Sequence, residues 1–129
     1  MSKPKVLVTR EVFDDVLDYL GAHCEVTANQ EDILFDGGTL ARLAADRDGL
    51  MTALTERVDE ALLARCPGLR AVCNIAVGYN NIDVPACTRR GVLVTNTPGV
   101  LDESTADLAW ALILATARRV TEAEAYLRK

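Results

Sequence analysis

The stretch Ala76-Val77-Gly78-Tyr79 carries the most informative chemistry in the sequence, and that chemistry belongs to backbone amides. It follows Arg70 to Ile75, whose apolar pattern predicts a buried strand. A glycine just past a strand lets the chain turn sharply. Two successive N–H groups left without ladder partners can also cradle a carboxylate or phosphate oxygen. A turn alone explains the same glycine, so both readings stand at this level. Met51-Thr52-Ala53-Leu54 closes another strand candidate and supplies either an apolar wall beside such an anion site or ordinary core. Asn80, Asn81 and Asp83 read as local caps of the next helix rather than as catalytic groups.

Other chemistries lack their residues. The single histidine, His23, falls between a predicted helix and the strand after it, which places it at the amino end of a parallel sheet. A phospho-receiver needs an Asp at the end of its third strand, where Met51-Thr52-Ala53 has none. A flavin-phosphate loop needs glycine or hydroxyl donors after the first strand, where Arg10-Glu11 presents an acid. The eight glycines contain no G-x-G-x-x-G. Cys24, Cys66, Cys73 and Cys87 form no C-x-x-C pair, so neither a zinc knuckle nor a redox dithiol is expected, and they read as free, mostly core thiols.

These loops need a scaffold that presents strand ends. Lys5 to Thr9 reads as a buried strand. Glu11 to Leu20 carries Val12, Phe13, Val16, Leu17 and Leu20 at helical spacing, with Gly21 as the stop. Further strands are expected at Cys24 to Thr27, within Gly49 to Ala53, at Arg70 to Ile75 and at Val92 to Thr95. Between them, short helices are predicted after Asp36-Gly37-Gly38-Thr39, after the cap Asp59, and from Asp83 to Gly91. This alternation predicts an α/β fold: a flavodoxin-like parallel five-stranded sheet of order 2-1-3-4-5 with helices on both faces, its ligands bound outside the carboxyl ends of the strands.

After Pro98 the character changes. Ser104-x-x-Asp107 resembles a capping box, and one helix of about 24 residues is predicted from there to the end of the chain, free of proline and glycine. Leu108 to Ala115 is apolar on all sides, so this helix is expected either sandwiched between two bodies or buried against another subunit. A chain of this kind reads as the front part of a longer protein.

Composition narrows the partners. The 129 residues suit one ordinary domain, and half of them are hydrophobic while 26% are charged, as in a globular protein. With 14 Lys and Arg against 19 Asp and Glu the net charge is −5, and the paired basic residues Arg89-Arg90 and Arg118-Arg119 are too sparse to neutralise a nucleic-acid strand. No apolar run is long enough for a signal peptide or a bilayer crossing, so the protein is expected in the cytoplasm, without nucleic-acid or membrane partners.

The run NIAVGYNNIDVPACTRRGVLVTNTPGVLDESTADLAWALILATARR, Asn74 to Arg119, closely resembles the amino-terminal region of the D-isomer-specific 2-hydroxyacid dehydrogenases, especially the glyoxylate/hydroxypyruvate and 2-ketogluconate reductase branch. The G-Y-x-N-I-D, N-T-P-G-V-L and T-A-D-L-A elements occur in the family's order and spacing, while residues 1 to 73 agree more loosely. The resemblance implies reduction of a short 2-keto acid with NAD or NADP by a Rossmann domain inserted into a flavodoxin-like substrate domain. Residues 1–98 would then form most of the substrate domain. Residues 99–129 would form the hinge and first long helix of the nucleotide domain, with a homodimer made through helix 104–127.

By the same resemblance the Val77 and Gly78 amides would hold the substrate carboxylate, Leu54 would contact the substrate's carbon chain, and Thr105 would lie close to the nicotinamide. Asn80 stands where the family often has Asp. The family's catalytic Arg, Glu and His, and its glycine loop, lie downstream of the region represented here. No catalytic and no metal-binding residue is therefore expected among these 129, and the isolated chain is expected to be inactive. A different class of reading makes the chain a non-enzymatic, flavodoxin-like module that binds anions or dimerises through the Trp110 helix.

Overall fold

The computed structural model describes residues 2–128. Strands and helices alternate: β1 (Lys5–Val8), α1 (Asp14–His23), β2 (Glu25–Ala28), α2 (Gly37–Ala44), β3 (Gly49–Thr52), α3 (Glu60–Arg65), β4 (Ala71–Asn74), α4 (Val84–Arg89) and β5 (Leu93–Thr95), followed by α5 (Asp102–Ala117) and α6 (Val120–Leu127). The strands form one parallel sheet of order β2-β1-β3-β4-β5, as the alternation predicts.

Register explains the core. Leu7, Leu50, Val72 and Val94 lie side by side across β1, β3, β4 and β5. Against this apolar row pack Leu40, Ala41 and Ala44 of α2, Leu62 and Leu63 of α3, and Ala86 and Cys87 of α4. Because β2 and β3 flank β1 on opposite sides, right-handed crossovers put α1 on the other face. That face is thinly covered. None of α1 is fully buried, and Leu93 on the outer strand is 64% exposed.

The caps expected at Asp59 and Asp83 are formed, and Asp36, expected in a turn before the helix, caps α2 as well, since that helix already begins at Gly37. Asp36 accepts from Thr39 N at 2.8 Å, Asp59 from Leu62 N at 3.1 Å and Asp83 from Ala86 N at 2.9 Å. Gly91, at φ +69°, closes α4 in a conformation that glycine adopts without strain. Gly21 does not stop α1. A Cβ there would meet nothing within 4 Å, and the helix runs on to His23, where Cys24 N bonds Leu20 O at 2.7 Å.

The single long carboxyl-terminal helix is also corrected: it is two helices. Arg119 takes a left-handed conformation, φ 51°, which costs a non-glycine residue on the order of 1 kcal/mol. Its guanidinium meets the Glu122 carboxylate at 2.6 Å and starts α6. Ser104 forms no capping box either. Its hydroxyl donates to Leu101 O at 3.1 Å, inside a helix that has already begun at Asp102.

All four cysteines are free. Burial pushes the thiols of Cys66 and Cys87 up, as core residues, whereas Cys73 lies exposed on the thinly covered sheet face. Among the described residues no helix is long and apolar enough to cross a membrane. The chain divides into two compact units, Met1–Thr97 and Pro98–Lys129. The first holds the sheet; the second holds α5 and α6, in which no residue is fully buried.

Candidate functional site

At the carboxyl end of the sheet the apolar row gives way to buried polar groups, Thr9, Thr52, Glu56 and Asn74. Buried polar atoms usually find partners; those of Thr52, Glu56 and Asn74 do so by stitching the loops together, whereas Thr9 Oγ1 is buried without one among the described residues. The Glu56 carboxylate accepts from Thr52 Oγ1 at 2.9 Å, Ala53 N at 3.0 Å and Thr55 Oγ1 at 2.8 Å, which fixes the loop after β3. Asn81 donates to the carbonyls of Ala53 and Glu56 at 2.9 and 3.0 Å, binding that loop to the one after β4. A parallel bridge between Val58 and Ile82 repeats the connection.

The loop after β4 is held by its carbonyls. Ala76 O accepts from Thr97 N at 3.0 Å, Val77 O from Asn96 Nδ2 at 2.8 Å and Gly78 O from Asn74 Nδ2 at 2.7 Å. The carbonyls are engaged, and the N–H groups between them are not. Among the described residues neither the Val77 nor the Gly78 amide donates an internal hydrogen bond. Two adjacent free amides at the carboxyl end of a parallel sheet can bind an anionic oxygen.

Gly78 does not owe its place to the turn. Its φ is not positive, and a Cβ built on it would meet only Leu54 Cδ2, at 3.9 Å. The missing side chain leaves the Leu54 side chain uncovered on that side, and Leu54 is 60% exposed. Leu54 and Ile75 form the apolar part of a cleft of about 390 Å³ whose other lining residues are Arg10, Glu11, Asp32, Ala53 and Thr55.

The charged part of this cleft is organised by Arg10. Its Nε and Nη2 grip the two Asp32 carboxylate oxygens at 2.6 and 2.7 Å, and Nη1 donates to Thr55 Oγ1 at 3.0 Å. The hydrogen bonds from Arg10, then from Glu11 N, hold the Asp32 carboxyl below its ordinary range, and the Asp32 bond raises Arg10. Asp32 has φ 52°, a left-handed conformation that Asp tolerates better than most residues.

Of the residues expected from sequence, Leu54 lines the cleft, Gly78 comes close to its side chain, and Val77 is the neighbour of Gly78 in the loop that follows the lining residue Ile75. Thr105 stands exposed in the first turns of α5, in the second unit, with its amide bonded to Leu101 O. Met51 is half-buried inside β3 and Thr52 is buried, so only Ala53 and Leu54 of that run reach the cleft. Asn81 is no helix cap; it ties two loops, while Asp83 does cap α4. His23 is at the amino end of β2, exposed, its ring edge-on to Tyr19 with centroids 5.3 Å apart.

Sequence reading missed Asn74, Glu56 and the Arg10–Asp32 pair. Arg10 was within reach, since it follows a strand end, the position where ligand loops begin. Asp32 could not be paired with it from spacing. Among the described residues no group of His, Cys, Asp and Glu could hold a metal ion.

Comparison with known proteins bears on this geometry. The family described as D-isomer specific 2-hydroxyacid dehydrogenase, catalytic domain, matches residues 6–127. Glyoxylate reductase of Aeropyrum pernix is 48% identical over 128 residues, which are 99% of this chain and 38% of that protein. Among solved structures, the TT0316 protein of Thermus thermophilus superposes with TM-score 0.85 at 38% identity, over 96% of this chain and 40% of that one. The NADPH-dependent glyoxylate/hydroxypyruvate reductase of Sinorhizobium meliloti, in complex with NADP and malonate, superposes with TM-score 0.77 at 33% identity, over 98% of this chain and 38% of that one. The chain thus spans about 38% of the length of the curated relatives it matches.

Proposed function

The chain belongs to the D-isomer specific 2-hydroxyacid dehydrogenase family, and from that premise we propose that it supplies the substrate-holding part of an NAD(P)-dependent reductase of short 2-keto acids. Glyoxylate, hydroxypyruvate or 2-ketogluconate would be reduced to the D-2-hydroxy acid. The observation that carries this reading is the pair of unbonded amides at Val77 and Gly78 beside the exposed Leu54. The amides hold the substrate's carboxylate, and Leu54 lies against its short carbon chain and keeps water from that side. Because the carbonyls of the loop are already engaged, the amides are fixed before substrate arrives, and little ordering cost falls on binding.

We divide the chain functionally at 98. Residues 1–98 serve as substrate domain and residues 99–129 as the hinge and first helix of a nucleotide domain, with Thr105 beside the nicotinamide. A dinucleotide does not fit these residues alone, since the chain has no G-x-G-x-x-G for its phosphates. The only histidine stands at the far end of the sheet from the amide pair, so these residues offer no imidazole to pass a proton to the substrate. The 129-residue chain by itself should therefore leave NAD(P)H unoxidised in the presence of glyoxylate. Its four unpaired cysteines agree with a cytoplasmic setting.

Trp110, Ile113 and Leu114 of α5 are exposed, which supports a homodimer through helix 104–127. Ile113→Glu with Leu114→Glu should then lower the mass found by sedimentation, and an unchanged mass would remove the interface. For the site, the test is a titration of the ¹⁵N-labelled chain with oxamate, an unreactive analogue of glyoxylate. The largest amide shifts should fall on Val77 and Gly78; silence at both would end this reading.

A further inference from the structure

The cleft lined by Leu54, the side chain closest to Gly78, and by Ile75 carries an unequal set of charges. Arg10 is its one cation, and both of its outer faces are occupied by Asp32 and Thr55. Glu11 and Asp32 are its two anions, and the Glu11 side chain is exposed and makes no hydrogen bond among the described residues. Glu56 lies behind the cleft and draws on Arg10 as well. A ligand group extending past Leu54 thus meets a guanidinium already matched and a carboxylate that is not.

The loop carrying Asp32 is built to keep that arrangement. Asn29 Nδ2 bonds Thr9 O at 2.9 Å and Ile33 O at 2.7 Å, while Asp32 N bonds Asn29 O at 3.3 Å. Asp32 is thereby held over Arg10 in its left-handed conformation, and Glu11 N adds a bond to Asp32 Oδ1 at 3.2 Å.

Resting on the carboxylate reading of Val77 and Gly78, we infer that Glu11 and Asp32 set the far end of this cleft against a second negative charge, one by direct repulsion and the other by occupying Arg10. The site therefore admits 2-keto acids with a single carboxylate and rejects those with a second anionic group, a carboxylate or a phosphate. Like charges brought together in a partly desolvated cleft disfavour a partner more than matched charges favour one.

The experiment compares oxamate, a monoanion, with 2-oxoglutarate, a dianion, by amide-shift titration of the ¹⁵N-labelled chain and its variants. In the wild type oxamate should shift Val77 and Gly78, and 2-oxoglutarate should bind more weakly. Asp32→Asn releases Arg10, and the preference for oxamate should fall by about tenfold. Adding Arg10→Met to Asp32→Asn should restore the preference. Glu11→Gln, at a side chain with no structural bond, should lower it by about threefold, and this variant keeps the test valid if Asp32→Asn fails to fold. An unchanged preference in Glu11→Gln, with oxamate still shifting Val77 and Gly78, overturns this inference and leaves the carboxylate site standing. No shift at those amides in the wild type overturns both.

Discussion

Leu50 in β3 and Leu112 in α5 are the same residue type in two parts of one chain, 1% and 59% exposed. In the first unit α2, α3 and α4 each present a limited apolar stripe, and the sheet row of Leu7, Leu50, Val72 and Val94 takes it up. In the second, Leu108 to Ala115 of α5 are apolar on all sides and no side chain of α5 or α6 is fully buried within the unit. One part buries an apolar core of its own, and the other buries none of its apolar side chains fully. The core and the exposed apolar surface are therefore written into separate stretches of the sequence.

The contrast can be broken most directly by truncating each leucine. Leu50→Ala should cost about 3 kcal/mol in urea unfolding, while Leu112→Ala should change the same transition by less than about 0.5 kcal/mol. Equal losses would erase the distinction. Asn74→Ala comes next. It strips Gly78 O and Asn81 of a buried partner, with an expected cost of about 2 kcal/mol and weaker oxamate binding.

Acid provides a milder probe of the first unit. The carboxyl of Asp32 is held low by its bond to Arg10, Asp36 by Thr39 N, Asp46 by Lys5 and Glu60 by Arg90. Folded values below unfolded ones mean stabilisation that is present above about pH 4 and lost as pH falls through the folded values. Circular dichroism at rising urea should show the unfolding midpoint falling from pH 5 to pH 2, with a flatter slope in Asp36→Asn. The smallest effect on stability belongs to Gly78→Ala. The midpoint should move by less than about 0.5 kcal/mol, because the backbone there accepts a side chain, yet oxamate binding should weaken as the methyl group enters the space before Leu54.

The scaffold was readable because its signals are local. Apolar runs such as Lys5 to Val8 and Ala71 to Asn74, spaced by capped helices at Asp59 and Asp83, leave few arrangements beyond order 2-1-3-4-5. The loop with the unbonded Val77 and Gly78 amides was readable for the same reason, since a loop after a strand end can be located along the chain. What holds the pair was not. Asn74 bonding Gly78 O, or Glu56 gathering Thr52, Ala53 and Thr55, depends on where a buried side chain points, and no periodicity encodes that. The break at Arg119 escaped notice because no glycine or proline marks it.

The fastening of Ala76, Val77 and Gly78 by their oxygens alone also bears on hydrogen exchange. Exchange protection follows the donor, so a segment can be immobile and still label rapidly in deuterium oxide. Ile75, whose N–H is bonded to Thr52 O at 2.7 Å, should retain its proton while its neighbours two and three positions along give theirs up. Slowed labelling of those two alone, without any change at Ile75, would be the signature of an occupant rather than of a stiffer loop.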